Sequence, residues 1–480
     1  MKIKKILLAF VFILTANVGF TQDSVDKWSL EECVNYALEN NLTIKNASLE
    51  QQINEANLKQ SRLSRIPSLN FDLFNSWRWG RSIDPTSNLF TTDRINTNGL
   101  SGSSNVVIYN GNRQVNNIRR DELLAQAGVY DTQKAKNDVR LDVVAAYVQI
   151  IFNKELLSIA EQQLATTREQ IKRTAKMVEV GSLPRVNLLD LQSQEATNEV
   201  DVVNAENNVN LSILQLKQML LIPASESFDI ITPEFDEANY AFVEESSEEV
   251  FSTALTTMPE VKSAELQVES AEINEKIAKG ANIPVLTLGA QIATNFSSAN
   301  EFRPTGGDGI IFPDTIGFVN NNPGQPVITE REIPSFEEGY SILEQWEDNF
   351  WQSAGFNLRI PIFNGYQTRT EQQRSKIRKM QAEVQEQQVR QQLRQTIETA
   401  YNDAEAALKV YESAQKQVQA LEEQFRTTER SYNLGAVNYV DYQVASYNLF
   451  SAKSDLLRGK YDYIFKMKVL DFYLGNELKL

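Results

Sequence analysis

From Tyr366 to Leu434 the chain runs for 69 residues without a Gly or a Pro, and from Asn112 to Val180 it does so again with Gly128 as the one exception. Gly interrupts helices through its backbone entropy and Pro through its missing donor and its ring. Their absence over such a length predicts two helices of roughly 100 Å, where a globular helix takes about 10–14 residues. The apolar spacing agrees. Leu393, Ile397, Ala400, Ala404, Ala407, Tyr411, Ala414, Val418, Leu421, Phe425, Thr428 and Tyr432 are separated by steps of four and three without a break. Val139, Val143, Ala146, Ile150, Asn153, Leu157, Ala160, Leu164, Thr167, Ile171, Thr174 and Val178 follow the same rule. An unbroken heptad seam predicts left-handed supercoiled packing. A rod alone would account for these two stretches but not for what lies between them.

The two helices belong to two copies of one plan. Glu31, Glu32, Ala37, Leu38, Lys45, Ala47, Leu49, Glu55, Asn57, Lys59, Ile66 and Pro67 recur as Glu248, Glu249, Ala254, Leu255, Lys262, Ala264, Leu266, Glu272, Asn274, Lys276, Ile283 and Pro284 at a constant offset of 217. Further on, Asn110-Gly111 recurs as Asn364-Gly365 and Gly181 as Gly435, at an offset of 254. The offsets differ by 37 residues, which places an insertion of that size between Pro284 and Asn364. Repeats are read before anything else because they fix the architecture. Each copy begins with a helix, near Leu30–Arg65 and Glu248–Lys279, that ends at an Ile-Pro pair, where Pro disfavours helix in the residue before it.

Alternating segments follow. Leu69, Phe71, Leu73, Trp77 and Trp79 share one parity against Ser68, Asn70, Asp72, Ser76 and Arg78. Leu286, Leu288, Ala290 and Ile292 alternate with Thr287, Gly289, Gln291 and Ala293, and Phe356, Leu358, Ile360 and Ile362 continue the pattern before Asn364. Gly99–Tyr109 is a fourth, less clearly patterned segment. Segments of about ten alternating residues with aromatics near their ends fit transmembrane β-strands; the pattern by itself also fits half-buried strands of a soluble sandwich. Four strands cannot close a barrel, and two chains would give eight, whose interior side chains fill. A channel built from these strands therefore needs at least three chains. The polar stretches Gly80–Asn98 and Asn295–Asn349 are expected to cap the strand hairpins, the second as an irregular surface loop carrying the insertion.

Composition removes other functions. The chain has no His and one Cys, Cys33, so imidazole-based nucleophile systems and His/Cys zinc sites are excluded, and no internal disulfide is available. Cys33 is expected to be a small buried apolar residue. The formal net charge of −16 argues against nucleic acid as a partner. Ten acids and no base lie between Gln218 and Val261, which marks the boundary between the copies. Adjacent acids such as Glu31-Glu32, Glu244-Glu245 and Glu248-Glu249 cannot converge on one substrate and are expected on solvated faces. The first residues, with Lys2, Lys4 and Lys5 before an apolar run from Ile6 to Leu14, are expected to form a secretory signal peptide cut near Thr21–Gln22. No later run offers about 18 uninterrupted apolar residues, so no transmembrane helix is expected, and entry into a membrane would have to be as a β-barrel.

The chain after the signal resembles the TolC family of outer-membrane efflux proteins. The resemblance rests on "LEECVNYALENN" (Leu30–Asn41), the Ile-Pro before each first strand, "PIFNG" (Pro361–Gly365), "YNLGAVNYVDYQ" (Tyr432–Gln443) and "VLDFYLG" (Val469–Gly475), in this order and with the duplication. It implies a mainly α protein with membrane β: a long α-helical coiled-coil barrel continuous with a 12-stranded trimeric outer-membrane β-barrel, four strands per chain. The divisions are then a signal peptide 1–21, a first structural repeat 22–221, an acidic inter-repeat equatorial segment 222–247, a second repeat 248–475 with its extracellular loop 295–349, and a short tail 476–480. It further implies a homotrimer in the outer membrane of a Gram-negative bacterium, in contact with outer-membrane lipid and with a long periplasmic extension. Such a protein serves as a passive exit duct of a tripartite efflux or type I secretion system, joined to a periplasmic adaptor and an inner-membrane pump of the RND, ABC or a similar class. No catalysis, cofactor or metal is implied. The competing reading is a periplasmic coiled-coil adaptor or a structural protein without its own channel.

In this resemblance Gly181 and Gly435 mark the hairpin turns at the periplasmic tip. Val180, Gly181, Ser182 and Leu434, Gly435, Ala436 match the family's adaptor-docking motif. Ser182 and Pro184 suit the start of the returning helix. Asp441 matches an acidic residue that narrows the family's entrance; Val444 replaces a second one, and Asn187 and Asp190 are the equivalent positions in the first copy. Taken alone, each Asp is a first-turn residue favoured by the helix dipole. Tyr432 matches a residue that helps to hold the entrance closed, but its usual Arg partner is Val437 here, and Tyr432 is also the last position of the heptad seam.

Overall fold

In the computed structural model the described residues are 27–83, 90–92, 94–232, 242, 245–305, 309–333 and 335–476. The expected signal peptide, much of the acidic inter-repeat stretch (233–241, 243 and 244) and residues 477–480 of the tail lie outside them.

The helices come in pairs of equal length. In the first half α1 (Leu30–Asn40) and α2 (Leu42–Leu63) have 11 and 22 residues, and α3 (Arg113–Glu179) and α4 (Arg185–Met219) have 67 and 35. The second half has α5 (Ser247–Thr257) and α6 (Pro259–Gly280), again 11 and 22 residues; then the short α7 (Ile342–Asp348), which has no counterpart; then α8 (Gln367–Asn433) and α9 (Tyr439–Tyr473), again 67 and 35. Ser29 with Glu32 and Ser246 with Glu249 form capping boxes that start α1 and α5.

The single helix expected at the start of each copy is in fact two. One extended residue breaks it, Asn41 (φ −64°, ψ 133°) in the first copy and Met258 (φ −75°, ψ 128°) in the second. Met258 precedes Pro259, whose ring pushes it out of the α region. Asn41 achieves the same break by capping: its Oδ1 accepts the Thr43 N–H at 2.8 Å.

The strands are β1 (Lys27–Trp28), β2 (Ser68–Arg78), β3 (Ser82–Ile83), β4 (Phe90–Thr91), β5 (Ile95–Tyr109), β6 (Asp229–Ile230), β7 (Val285–Ser297), β8 (Phe302–Pro304), β9 (Ile310–Phe318), β10 (Pro326–Ile333), β11 (Phe336–Glu338) and β12 (Trp351–Arg359). The chain divides into two compact units, one of residues 27–56, 122–270 and 379–476 and one of residues 57–121 and 271–378.

The first unit is built on the repeat. One core joins Cys33, Ala37, Val139 and Val143 with Leu216, Leu220 and Ile464; another joins Val250, Phe251 and Ala254 with Leu393, Ile397 and Phe472. Cys33, Ala37, Val139 and Val143 are the repeat equivalents of Val250, Ala254, Leu393 and Ile397, so the same positions make both cores. Cys33 is fully buried, and burial pushes its thiol up to about 12. No position of either heptad seam is exposed. Helix α3 contains an 18-residue window apolar enough by mean composition to cross a membrane, although polar residues interrupt it. Packing accounts for it: Val143, Val144, Tyr147, Val148, Ile150 and Ile151 of this helix lie in the first core. The start of the inter-repeat segment is fixed there too. Strand β6 pairs in parallel with β1, and the Tyr147 hydroxyl donates to Trp28 O at 3.2 Å and Ile231 O at 2.5 Å.

The second unit holds an open antiparallel sheet in the order β12-β7-β5-β2. Its register gathers Leu69, Phe71 and Leu73 with Leu100, Val106, Leu288, Ile292, Phe356 and Leu358 on one face. The other face takes Asn70, Asp72, Ser101, Ser103, Gln291, Ser353 and Asn357. Among the described residues no strand pairs with the outer edge of β2 or of β12. The insertion is not an irregular loop. Strand β8 pairs with β11 and β9 with β10, making a two-stranded ribbon, and α7 follows, started by the Ser341–Glu344 capping box. Gln345 of α7 is fully buried and replaces a stretch of ladder: its Oε1 accepts the Ser297 N–H, and its Nε2 donates to the carbonyls of Ser297, Asn300 and Tyr340.

Candidate functional site at the two helical turns

Helix α3 ends in a left-handed Gly181 (φ +76°) and α8 in a left-handed Gly435 (φ +73°). Around Gly181, the Ser182 N–H donates to Met177 O at 2.8 Å and the Gly181 N–H to Val178 O at 3.0 Å. Around Gly435, the Ala436 N–H donates to Ser431 O and the Gly435 N–H to Tyr432 O, both at 2.9 Å. This pair of bonds is the Schellman ending, which a Gly at the left-handed position allows at least steric cost. Ser182 is thus the end of one helix and not the start of the next. Pro184, not Ser182, stands at the N-cap of α4, and no side chain caps that helix. At the equivalent N-cap of α9, Asn438 accepts the Asp441 N–H on its Oδ1 at 2.9 Å. Val180 and Leu434, in matching positions, are 78% and 79% exposed, so each turn ends in an unprotected apolar side chain.

The second turn stands on an aromatic cluster that sequence reasoning found only in part. Tyr439 and Tyr442 are buried with Leu191 of α4, and Phe425, Tyr432 and Ile171 pack against them. The Tyr432 and Tyr442 rings stack at 4.9 Å, and Phe425 lies 5.6 Å from Tyr442. Among the described residues the buried Tyr432 hydroxyl has no hydrogen-bond partner, and Tyr432 makes its contacts here through packing. Burial pushes the Tyr442 hydroxyl up to about 12 and Tyr439 beyond the tyrosine range, with smaller contributions to Tyr439 from Tyr432 and then the Asp190 carboxylate. Tyr439 and Tyr442 are three residues apart and share one face of α9, and that spacing was the available signal; Tyr432 reaches them from α8, across the turn.

A run of amides ties α9 to the first hairpin. Gln443 Nε2 donates to Gln194 Oε1 at 2.6 Å, Gln194 Nε2 to Asn198 Oδ1 at 2.8 Å, and Asn198 Nδ2 to Thr167 Oγ1 at 2.8 Å; Gln163 Nε2 donates to Ser446 Oγ at 2.9 Å. These residues line a cavity of about 400 Å³ with Tyr439, Tyr442 and Gln170. Asp441 and Asp190 are exposed, and Asn187 is half-buried. Among the described residues no hydrogen bond or ion pair joins these three side chains.

The profile of the outer membrane efflux protein family matches residues 33–220 and 250–476, one segment in each repeat. The chain belongs to the outer membrane efflux protein family. It is similar to the outer membrane efflux protein BepC of Brucella suis biovar 1 (strain 1330), 20% identical over 60% of this chain and 59% of that one. It is also similar to the cation efflux system protein CusC of Escherichia coli O157:H7, 23% identical over 67% of this chain and 64% of that one. The chain thus spans less than two thirds of either relative's length. The solved structure of the outer membrane protein VceC from Vibrio cholerae superposes with a TM-score of 0.71 over 94% of this chain and 97% of that one, at 13% identity. That likeness concerns the fold, the arrangement of long helices and strands described here. The residues between the two family segments are 221–249, the acidic inter-repeat stretch.

Proposed function

We propose that this protein is the outer-membrane exit duct of an efflux or secretion system, passive in itself. The observation that carries the reading is the sheet: four strands, two free edges, one apolar and one polar face. Three copies joined edge to edge would give twelve strands in a closed barrel, with the apolar face to lipid and the polar face to a water-filled lumen. The family membership supports the same reading. An adaptor would need one helical hairpin, whereas this chain has two.

In such a trimer the turns at Gly181 and Gly435 form six periplasmic tips. Val180, Gly181, Ser182, Leu434, Gly435 and Ala436 are the surface offered to a periplasmic adaptor, itself joined to an inner-membrane pump. Asp441 in the first turn of α9 is repeated threefold into a ring of carboxylates at the entrance, and Asp190 into a second. Asn187 lines the same level and Tyr432 braces it from behind. A ring of like charges in a constriction favours cations.

The test is purification in detergent from the outer-membrane fraction, followed by single-channel recording. The expected species is a trimer that resists SDS until heated and conducts in planar bilayers. Asp441→Asn is expected to lower cation preference and divalent block, and Asp190→Asn to do so less. A soluble monomer, or a channel whose selectivity ignores both changes, would overturn the assignment.

A further inference from the structure

The insertion offers a surface that the duct reading does not use. Its ribbon is held at the base: Arg303 pairs with Asp348 at 3.0 Å and Glu344 at 3.2 Å, and the Thr305 N–H donates to Ser335 O at 3.0 Å. Beyond that base, β9 and β10 extend for roughly 30 Å as two strands with no third among the described residues. A lone two-stranded ribbon is marginal in water. This one also exposes Ile311, Phe312, Ile316, Phe318, Val327 and Ile328, each at least 40% accessible. Grouped apolar exposure of this kind marks a contact surface.

Charge and position indicate what covers it. From Glu301 to Asp348 the sequence has ten acids and two bases, so three such inserts gathered over a shared mouth would repel one another. From Arg78 to Arg94, at the outer end of the β2–β5 hairpin, there are three bases and two acids. That end carries an apolar group of its own: Trp79, Ile83 and Phe90 are 71%, 49% and 67% exposed, with the Arg81 guanidinium 4.9 Å from the Phe90 ring centre. Within one chain these residues remain uncovered, and among the described residues no ion pair links Arg78, Arg81 or Arg94 to the insert. The ribbon springs from the turn between β7 and β12, and β12 is the free edge that meets β2 of the next copy in the proposed trimer. Strand β2 leads directly into Trp79.

We propose that the acidic ribbon of each chain lies across the Trp79–Ile83–Phe90 surface of the neighbouring copy, as a clasp between subunits at the outer mouth. The clasp rests on the trimeric reading above and adds to it a contact that edge pairing does not supply.

Two differently tagged forms are co-expressed on a Cys33→Ala background. One carries a single Cys in the ribbon (Ile311→Cys, Ile316→Cys or Ile328→Cys) and the other Trp79→Cys or Phe90→Cys. A short bismaleimide applied to cells is expected to join the two tags for at least one pairing. Separately, Glu330→Arg with Glu332→Arg is expected to lower the temperature at which the SDS-resistant trimer falls apart, and Arg78→Glu with Arg81→Glu in the same chain to restore it. No cross-tag product at any pairing, or a charge reversal without a shift, overturns the clasp. A wild-type chain that runs as a monomer would instead overturn the trimer itself, so the two failures are distinguishable.

Discussion

At Gly181 and Gly435 the backbone does the same thing: the same left-handed residue, the same two bonds back to the helix, a returning helix of the same 35 residues. The side chains around it have diverged. Where the second turn has Tyr432, Asn438, Tyr439, Asp441 and Tyr442, the first has Val178, Pro184, Arg185, Asn187 and Leu188. Asp190 reverses the pattern, since its counterpart is Val444. The turn is thus a matter of one Gly and backbone hydrogen bonds, and survives with almost any neighbours. What the neighbours decide is how firmly the returning helix is held, and in the second copy an aromatic cluster and a side-chain cap do that work.

The comparison is broken most directly by removing the cluster. Tyr442→Ala deletes a ring buried against Tyr432, Phe425 and Leu191, a loss of about 3–5 kcal/mol by analogy with other buried aromatics. Local opening of the second hairpin should rise by roughly 100-fold or more, since each 1.4 kcal/mol is a factor of ten. Hydrogen exchange along residues 425–445 is the measurement. Leu188→Ala, at the half-buried counterpart, should change the first hairpin far less; equal effects would mean that the cluster does not distinguish the turns.

Alkaline pH should separate the hairpins without mutation. The folded Tyr442 hydroxyl is raised to about 12, by burial first and the Glu429 carboxylate next, while an unfolded tyrosine titrates near about 10. Its neutral form is the one the cluster holds, so its contribution is complete below about pH 10 and is lost as pH rises through about 12. Tyrosinate absorbance should therefore show late-titrating groups, Tyr442 first and Tyr439 after it, coupled to loss of the second hairpin's helix. Tyr442→Phe should remove the earlier of the two and leave the first hairpin's response unchanged.

Much of this was legible beforehand, for physical reasons that also explain the gaps. The paired 67-residue helices follow from the missing Gly and Pro, and the seam from a period that persists through many turns. The strands were legible where apolar and polar side chains alternate between the two faces of the sheet, and least so over Gly99–Tyr109, where a bulge interrupts the register. The ribbon was not, since Ile310-Ile311-Phe312 puts apolar residues on both faces and Pro313 follows at once, which leaves no period of two. The break at Met258 could have been read from the Pro after it; the break at Asn41 depends on a single side-chain bond. Tyr432 was noticed as a seam residue, but its contact with Tyr442 crosses between α8 and α9, and Leu191 comes from α4. Such contacts belong to packing among helices and have no local signature. The rings proposed for Asp441 and Asp190 would belong to an assembly of chains and are outside what one chain can display.

A smaller effect tests the shared half of the comparison. An added Cβ at Gly181 or Gly435 would meet nothing within 4 Å. Gly181→Ala and Gly435→Ala should therefore each cost only the left-handed backbone, about 1–2 kcal/mol, and should cost the same. Exchange at the amides of Ser182 and Ala436, which donate the Schellman bonds, is the sensitive readout. A distinctly larger loss at one site would show that its turn leans on side chains after all.

The smallest effect concerns the caps. Asn438→Ala leaves the Asp441 N–H without its acceptor and should cost about 1 kcal/mol, confined to the first turn of α9. The reciprocal change, Pro184→Asn, gives α4 the cap it lacks and supplies a comparable gain. It also frees the unfolded chain that Pro had restricted, which removes about 0.4–1 kcal/mol. These terms nearly cancel, so Pro184→Asn should leave the stability of the first hairpin within about 0.5 kcal/mol of the starting value. The two copies would then have reached a similar helix start by different means, one through a bond in the folded state and the other through a stiffer unfolded one. Adding a cap without removing the Pro is not possible at a single position, so the pair of substitutions, followed by exchange at Asn187 and Asp441, is the direct comparison. A clear gain from Pro184→Asn would mean that the first hairpin has been left the looser of the two.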